Sequence, residues 1–169
     1  MLIKSVRGFT PKYGIDCFFA ESSAIIGEVI MGHNCSVWYQ AIIRGDVNSI
    51  EIGNCVNIQD GAVIHGTYEQ SGTKIGNHVS VGHNAIIHGC TINDSVLVGM
   101  GSIIMDDSVI ESNSIIAAGS VLPKNTIVPK GSVFAGVPAK KIKEIDLALQ
   151  KGEIDRIAKN YIIYASWFK

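Results

Sequence analysis

Aromatic and charged residues are both scarce in this chain of 169 residues. Aromatic side chains make up 7% of the sequence and charged ones 17%, while hydrophobic residues reach 47%. The apolar content therefore resides mainly in Val, Ile and Ala, which favours β-strands over a bundle of helices. A chain this apolar and this weakly charged can bury a core, and its length fits one domain.

Other features are also missing, and each absence excludes a class of protein. The formal net charge is -1, so we expect no nucleic-acid partner. No apolar run approaches the roughly 20 residues that a membrane span needs, and the first residues, MLIKSVRGF, do not resemble a signal peptide. The cysteines (Cys17, Cys35, Cys55 and Cys90) form no CxxC pair, which favours buried thiols in a reducing cytoplasm.

What the sequence does contain is a six-residue period. Apolar residues recur in unbroken steps of six from Val98 to Phe134, and the same step, with a few irregular ones, extends upstream to Ile26. A small residue precedes many of them by two positions, as Ser102 precedes Ile104. Such a period is too short for a helical repeat and suits one short strand and one turn. Three hexads then close one coil of a prism, about six coils in all, stacked about 4.8 Å apart.

The period divides the chain into three parts. Residues 1–17 are predicted to be a lead-in that caps the first coil. Residues 18–139 form the β-helix, interrupted where the step lengthens to nine residues after Ile43 and to eleven after Ile64; such insertions on a rigid scaffold commonly carry function. Residues 140–169 are predicted to be helical. Their apolar stripe at helical spacing comprises Ile154, Ile157, Ala158, Tyr161, Ile162, Ala165 and Phe168.

The hexad register places two histidines in one column. His65 and His88 each follow an interior isoleucine, Ile64 and Ile87, and these two are one complete coil apart. Both imidazoles are therefore predicted to point outward from the same face, about 4.8 Å apart along the stack. That spacing allows two imidazoles to reach one metal ion. Arg44 is predicted to lie in the same column, one coil below His65.

A third histidine, His83, falls on the preceding face. Roughly 15 Å of extended chain separates it from His88, so we do not expect it to share a metal with the pair of its own chain. A neighbouring subunit could bring its own His83 to the site, and a trimer with three identical interfaces is the most economical assembly that does so. We interpret His33 and His78 as ordinary surface or interface residues. The spacing alone leaves a metal site and a surface role equally open for the other three.

Several motifs resemble the gamma-class carbonic anhydrase family. They are Arg44-Gly45-Asp46, Asn57-Ile58-Gln59-Asp60, Val63-Ile64-His65, and the stretch from Val81 to Cys90 that holds His83 and His88. The resemblance covers about residues 15–139. It implies an all-β solenoid, a left-handed parallel β-helix with a C-terminal α-helix packed along it, assembled as a homotrimer.

The same resemblance implies a metalloenzyme. His65 and His88 of one chain and His83 of the next would hold zinc, with ferrous iron or cobalt as alternatives that imidazoles also accept. The reaction would be hydration of carbon dioxide to bicarbonate by a metal hydroxide. GVPAK, at residues 136–140, adds little, because hexapeptide acyltransferases end their coils similarly.

Further residues take roles from this resemblance. Gln59 would orient the bound hydroxide or bicarbonate, and Asp60 would position neighbouring groups. Asp60 is also predicted from the register to lie one coil below His83. Arg44 and Asp46 would form an ion pair across the subunit interface, or a salt bridge within the inserted segment.

The C-terminal helix and one loop complete the expected site. Tyr161 would reach the site from the helix, with Tyr164 as the competing residue and core packing as the alternative role of either. Val47 stands where the family's prototype has a glutamate, and the short loop at residues 66–72 contains Glu69 as its only acidic residue. The prototype's loop carries a proton-shuttle glutamate, so we expect weak activity here.

Two other functional classes fit the repeat. One is an enzyme acting on acyl-coenzyme A, either a hexapeptide acyltransferase with a histidine base or a metal-assisted thioesterase. The other is a non-catalytic trimeric protein that binds metal or serves in assembly.

Overall fold

The computed structural model describes residues 1–168, which form a parallel β-solenoid with a helix along one side. Most strands are two or three residues long, and each pairs in parallel with the strand one coil away. Val81, for example, pairs with Ile58 on one side and with Val98 on the other. The hexads thus stack as predicted, and the parallel β-helix is confirmed.

The strands lie on three faces of the prism. The histidine face comprises Ile42–Ile52, Val63–His65, Ile86–His88, Ile103–Ile104 and Val121–Leu122. The open face continues from Ile42–Ile52 through Thr73–Ile75, Thr91–Ile92, Val109–Ile110 and Ile127–Val128. The helix-covered face comprises Phe18–Phe19, Ser36–Val37, Asn57–Ile58, Ser80–Val81, Leu97–Val98, Ile115–Ile116 and Ser132–Gly136. These seven parallel strands mark one coil more than the hexad count implied, because Phe18–Phe19 already opens a coil.

Both ends of the chain depart from the predicted division. Leu2–Lys4 and Lys12–Tyr13 pair in parallel with Ala24–Met31, so part of the predicted lead-in, residues 1–17, belongs to the sheet. At the other end, Ala139–Glu144 forms an antiparallel strand against Ser132–Gly136. The predicted helical segment, residues 140–169, therefore begins as a strand. This strand covers the edge of the last coil, which would otherwise leave backbone hydrogen-bonding groups unpaired.

Helical structure begins at Leu147. A short α-helix, Leu147–Leu149, runs into a π-helical segment, Gln150–Asp155, and then into the α-helix Arg156–Ser166, which we call the C-terminal helix. Part of the predicted apolar stripe is confirmed, because Ala158 and Ala165 are buried against the helix-covered face. Ile162 belongs to the same predicted stripe but is 41% exposed. A helix that rests on a flat sheet buries only a narrow arc of its surface, which leaves Ile162 outside.

The interior of the prism is filled by columns of branched apolar side chains. Ile43, Ile64 and Ile87 stack along the histidine face and are 0% exposed. Small residues occupy the corners, where Ser102 is fully buried and its hydroxyl donates to Gly99 O at 2.7 Å. The hydrogen bond offsets the loss of hydration that burial of the hydroxyl causes. The core therefore extends without interruption from coil to coil.

The two lengthened hexad steps have different outcomes. The nine-residue step lies inside the single long strand Ile42–Ile52, which pairs with Ala24–Met31 through a register shift between Gly27 and Val29. The eleven-residue step forms a loop at residues 66–72, closed by a bridge between Thr67 and Ser71. The first step was expected to form a bulge or loop, and it forms a bulged strand because a second long strand is available to pair with it.

All four cysteines are free thiols, as expected from their spacing. Burial raises the pKa of Cys90 to about 12, so this thiol stays protonated at neutral pH. Within residues 1–168, no helix is long and apolar enough to cross a membrane.

A matched pair of substitutions tests the role of the interior columns. Ile104 is 0% exposed and Ile127 is 65% exposed, although both lie in hexad strands. We expect Ile104→Ala to lower the free energy of unfolding by about 2–5 kcal/mol, because it removes buried methyl groups and leaves a cavity. Ile127→Ala should change it by no more than about 0.5 kcal/mol. Urea unfolding followed by circular dichroism measures both, and similar losses would contradict the assigned interior.

Candidate metal centre

His65 and His88 lie one above the other on the histidine face. The strand register pairs them directly, which confirms the predicted column. His65 Nδ1 lies 3.3 Å from His88 Nε2. Two nitrogen ligands of one tetrahedral zinc ion, at bond lengths of about 2.0–2.1 Å, lie about 3.4 Å apart. The two ring nitrogens are therefore already at the separation of a ligand pair.

A carboxylate holds the other nitrogen of each ring. His65 Nε2 lies 3.0 Å from Asp46 Oδ1, and His88 Nδ1 lies 2.7 Å from Asp106 Oδ1. Because an ionised carboxylate only accepts, each of these two ring nitrogens carries a proton. The two nitrogens that face each other are therefore the ones left to share a proton or to bind a cation between them. This arrangement fits a metal ion, since metal-bound histidines commonly donate their second N–H to a carboxylate.

The predicted third ligand, His83, has the same kind of partner. His83 Nδ1 lies 2.8 Å from Asp60 Oδ2, and its Nε2 lies 3.4 Å from the hydroxyl of Tyr161. Burial, with further contributions from the charge of Asp60 and from Tyr164, raises the pKa of Tyr161 to about 12. The phenol is therefore protonated at neutral pH and can donate to His83 Nε2. Asp60 thus fixes the tautomer in which Nε2 carries the lone pair that accepts from Tyr161 and that could bind a cation in its place.

The two remaining histidines lack this feature. His33 Nδ1 accepts a hydrogen bond from the backbone N–H of Ile15 at 3.0 Å. In the part of the chain that the structure describes, neither His33 nor His78 lies in an ion pair with a carboxylate. Carboxylate pairing therefore separates the three predicted ligands from the two histidines that we interpreted as surface residues.

The two carboxylates that contact the stacked histidines, Asp46 and Asp106, both have lowered pKa values. Burial acts to raise the pKa of Asp46, but hydrogen bonds from His65 and Arg44 outweigh it and hold the pKa below its ordinary value. Burial likewise opposes the ionisation of Asp106, and the hydrogen bond and charge of His88, with smaller contributions from Thr67 and Lys124, lower its pKa overall. Both groups are therefore anionic at neutral pH and can anchor the imidazole rings.

Arg44 and Asp46 form their ion pair within one chain. This contact corresponds to the salt bridge within the inserted segment that the sequence left open. Ile43 pairs with Ile64, so Arg44 lies one coil from His65 as predicted. Asp46 therefore connects a cation on one side with a candidate metal ligand on the other.

Asp106 was not among the residues predicted from the sequence. The hexad register could have indicated it, because the register places residue 106 one coil above the turn that follows His88. The structure has this stacking, since Asp107 N donates to Gly89 O at 2.8 Å. Thr67 Oγ1 also donates to Asp106 Oδ1, at 3.1 Å. The loop at residues 66–72 thus supports the carboxylate that orients His88.

The remaining predicted residues gather on the other side of the prism. Gln59, His83 and Tyr161 line a cleft of about 350 Å³ between the helix-covered face and the C-terminal helix. Gln59 is 5% exposed, and its Nε2 donates to Asn57 Oδ1 at 3.0 Å, which leaves its carbonyl oxygen available as an acceptor. Tyr164 lines the same cleft, but Tyr161 is the tyrosine that reaches His83.

One chain therefore holds two separate groups of site residues. The His65–His88 pair lies on the histidine face, and His83 lies at the edge of the helix-covered face. Among residues 1–168, no group of three or more His, Cys, Asp or Glu side chains could hold a metal ion within the chain.

Comparisons with known proteins point to one family. The family described as "Bacterial transferase hexapeptide (six repeats)" matches residues 89–124. The chain is 36% identical over 171 residues to a carbonic anhydrase of Geobacillus kaustophilus, covering 99% of this chain and 91% of the relative. It is 42% identical over 161 residues to the mitochondrial gamma carbonic anhydrase 2 of Arabidopsis thaliana, covering 90% of this chain and 56% of that protein.

A solved structure gives a matching result. The crystal structure of a hexapeptide transferase family protein from Anaplasma phagocytophilum superposes with a TM-score of 0.94 at 38% identity, covering 99% of this chain and 98% of that one. The similarity thus extends over the solenoid and the C-terminal helix together. The chain belongs to the gamma-class carbonic anhydrase-like family of hexapeptide-repeat proteins.

Proposed function

We propose that this protein is a metal-dependent carbonic anhydrase, which hydrates carbon dioxide to bicarbonate at sites shared between the subunits of a homotrimer. One observation carries the proposal. Each of His65, His83 and His88 has one ring nitrogen held by a carboxylate and the other directed away from it. Three neutral imidazoles prepared in this way form the donor set of a catalytic zinc site, which keeps a fourth position open.

A threefold assembly brings the two groups of site residues together. An outward-facing ladder of aliphatic side chains runs beside the histidine column, through Ile42, Val63, Ile86, Ile103 and Val121. Two of these, Ile42 and Ile86, are each 38% exposed in the single chain. The other three are partly exposed, and an apolar stripe of this kind is typical of a protein contact surface. Burying it against a second chain would set His83 of one subunit beside the His65–His88 pair of the next.

The bound metal would supply a water molecule whose pKa is lowered towards about 7. Zinc, ferrous iron and cobalt all accept imidazole ligands, and availability decides among them. The chain's own residues prepare the site. Asp46, Asp60 and Asp106 fix the imidazole tautomers and ring orientations.

Two more residues would act on the substrate. Gln59 presents its carbonyl oxygen as an acceptor because its amide group is held by Asn57. Tyr161 keeps its proton at neutral pH and remains a donor within the same cleft. Together they provide one acceptor and one donor for orienting hydroxide or bicarbonate. Val47 and the single acidic residue in the loop at 66–72, Glu69, provide little for proton export, so the turnover should be slow.

Metal content tests the shared site. We expect about one zinc, iron or cobalt ion per chain in anaerobically purified, untagged protein. His65→Ala and His83→Ala should each lose the metal because each removes one donor, while His33→Ala should keep it. Mixing the His65→Ala and His83→Ala proteins and allowing subunit exchange should restore part of the metal, since some interfaces regain all three imidazoles.

Elemental analysis of each sample gives the result. If verified hybrid trimers recover no metal, the site is not shared between chains. If the wild-type protein takes up none even after incubation with zinc and cobalt, the anhydrase proposal is wrong.

Hydration of carbon dioxide tests the reaction itself. Stopped-flow measurement with a pH indicator should show activity in the metal-loaded protein and background rates in His65→Ala, because that variant lacks the metal donor set. A fully loaded protein with background rates would instead favour the non-catalytic metal-binding class. Hydrolysis of acyl-coenzyme A by the loaded protein would favour the thioesterase.

Adjacent aspartates provide a matched test of the carboxylate partners. Asp106→Asn removes the charged acceptor from His88 Nδ1, and we expect metal affinity to fall about 10–100-fold. Asp107→Asn should leave the affinity unchanged, because Asp107 is exposed and accepts from Ser71 at 2.6 Å rather than from His88. Competition with a metal-binding dye measures both affinities. Equal effects of the two substitutions would show that Asp106 has no specific role.

A further inference from the structure

Both stacked histidines lie where the regular coil is interrupted or turns. His65 and His88 are each the last residue of their strand. After His65 the chain leaves the coil in the loop at residues 66–72 and returns to the sheet at Thr73. A loop inserted directly after a candidate metal ligand would leave the backbone of that ligand free to move, unless another contact closes the coil.

The side chain of Thr73 provides that contact. Thr73 is 0% exposed, and its Oγ1 donates to His65 O at 2.6 Å. The same oxygen accepts from the backbone N–H of Gly89 at 3.0 Å. Gly89 directly follows His88 in the sequence. One buried hydroxyl, which both donates and accepts, therefore bridges the backbone of one candidate ligand to the residue next to the other.

The turn at Gly89 is itself held in place from other sides. Its N–H also donates to His65 O at 3.1 Å, so this N–H is shared between the carbonyl and the Thr73 hydroxyl. Gly89 has a φ of +56°, and a side chain there would collide with the Asp106 carboxylate. The turn therefore packs against the carboxylate that orients the second histidine, and the Thr73 hydroxyl ties His65 to this fixed point.

We propose that Thr73 is a positioning residue for the metal centre, which holds the backbones of His65 and His88 at the spacing that a shared metal ion requires. This inference rests on the metal site proposed above. His65 Nδ1 and His88 Nε2 lie 3.3 Å apart, and each ring takes its place from the backbone that carries it. Groups that hold metal ligands in position commonly contribute about 10–100-fold to metal affinity.

Ser114 offers a matched control at another corner of the prism. It is also 0% exposed, and its Oγ donates to Pro129 O at 3.2 Å and accepts from the Ser132 N–H at 3.4 Å. The hydroxyls of Thr73 and Ser114 thus make the same kinds of hydrogen bond to the backbone of neighbouring coils. Pro129 and Ser132 are not part of the candidate metal centre, so loss of the Ser114 hydroxyl reports on stability alone.

Cobalt binding to the intact protein tests the role of Thr73. Thr73→Val replaces the hydroxyl by a methyl group of nearly the same shape, and we expect the cobalt affinity to fall about tenfold. The visible absorption of the bound cobalt should shift, because a changed ring spacing alters the ligand geometry. Thr73→Ser keeps the hydroxyl and should restore both properties. Ser114→Ala should lower the urea midpoint as Thr73→Val does, but leave the cobalt affinity and absorption unchanged.

The wild-type protein is measured first, which separates this inference from the proposed function. If the wild-type protein binds no cobalt, both are wrong, because there is no metal site to position. If it binds cobalt and Thr73→Val keeps the wild-type affinity and absorption, the metal site stands and the role of Thr73 is refuted. An equal loss of affinity in Ser114→Ala, or no recovery in Thr73→Ser, would assign the effect to stability and also overturn the inference. Thr73→Ala takes the place of the valine variant if that variant does not fold.

Discussion

The parallel hydrogen bonding between successive coils is the constraint on which the rest of this structure depends. Each strand takes its register from the strand below it, so a residue type that recurs every coil forms a straight column. Ile43, Ile64 and Ile87 form one such column inside the prism, and His65 and His88 form part of another outside it. A shift of one residue in any coil would turn interior side chains outward, so the register is strongly specified.

The histidine column gains its chemical character from residues at the corners and insertions. Asp46 lies in the bulged strand, and Asp106 is held partly by Thr67 of the long loop. Both departures from the six-residue step therefore supply groups that orient or support the stacked imidazoles. The regular coils hold His65 and His88 at a fixed spacing. The irregular segments provide the Asp46 carboxylate, which contacts His65, and the Thr67 hydroxyl, which supports Asp106.

The C-terminal helix makes the three faces of the prism unequal. It covers the face that leads to His83 and buries Gln59 in the cleft beneath it. The histidine face keeps its aliphatic ladder partly exposed in the single chain. One molecule thus presents a histidine pair on one face and a single histidine beside another, so the metal site that we propose would require assembly. The same helix also packs the Tyr161 ring against Trp38.

The sequence by itself determined the parts of this protein that depend on a local, repeating rule. The six-residue period fixes which side chains point inward, so the solenoid, the His65–His88 column and the separate position of His83 could all be predicted. Only the tertiary structure decided the contacts that no period encodes. Asp106 contacts His88 from 18 residues away, and the strand Ile42–Ile52 forms because Ala24–Met31 can pair with it. An edge-to-face ring contact also joins Trp38 to Phe168 across most of the chain. Such contacts depend on side-chain direction at corners and on partners distant in sequence, and these are set only when the coils stack and the helix packs against them.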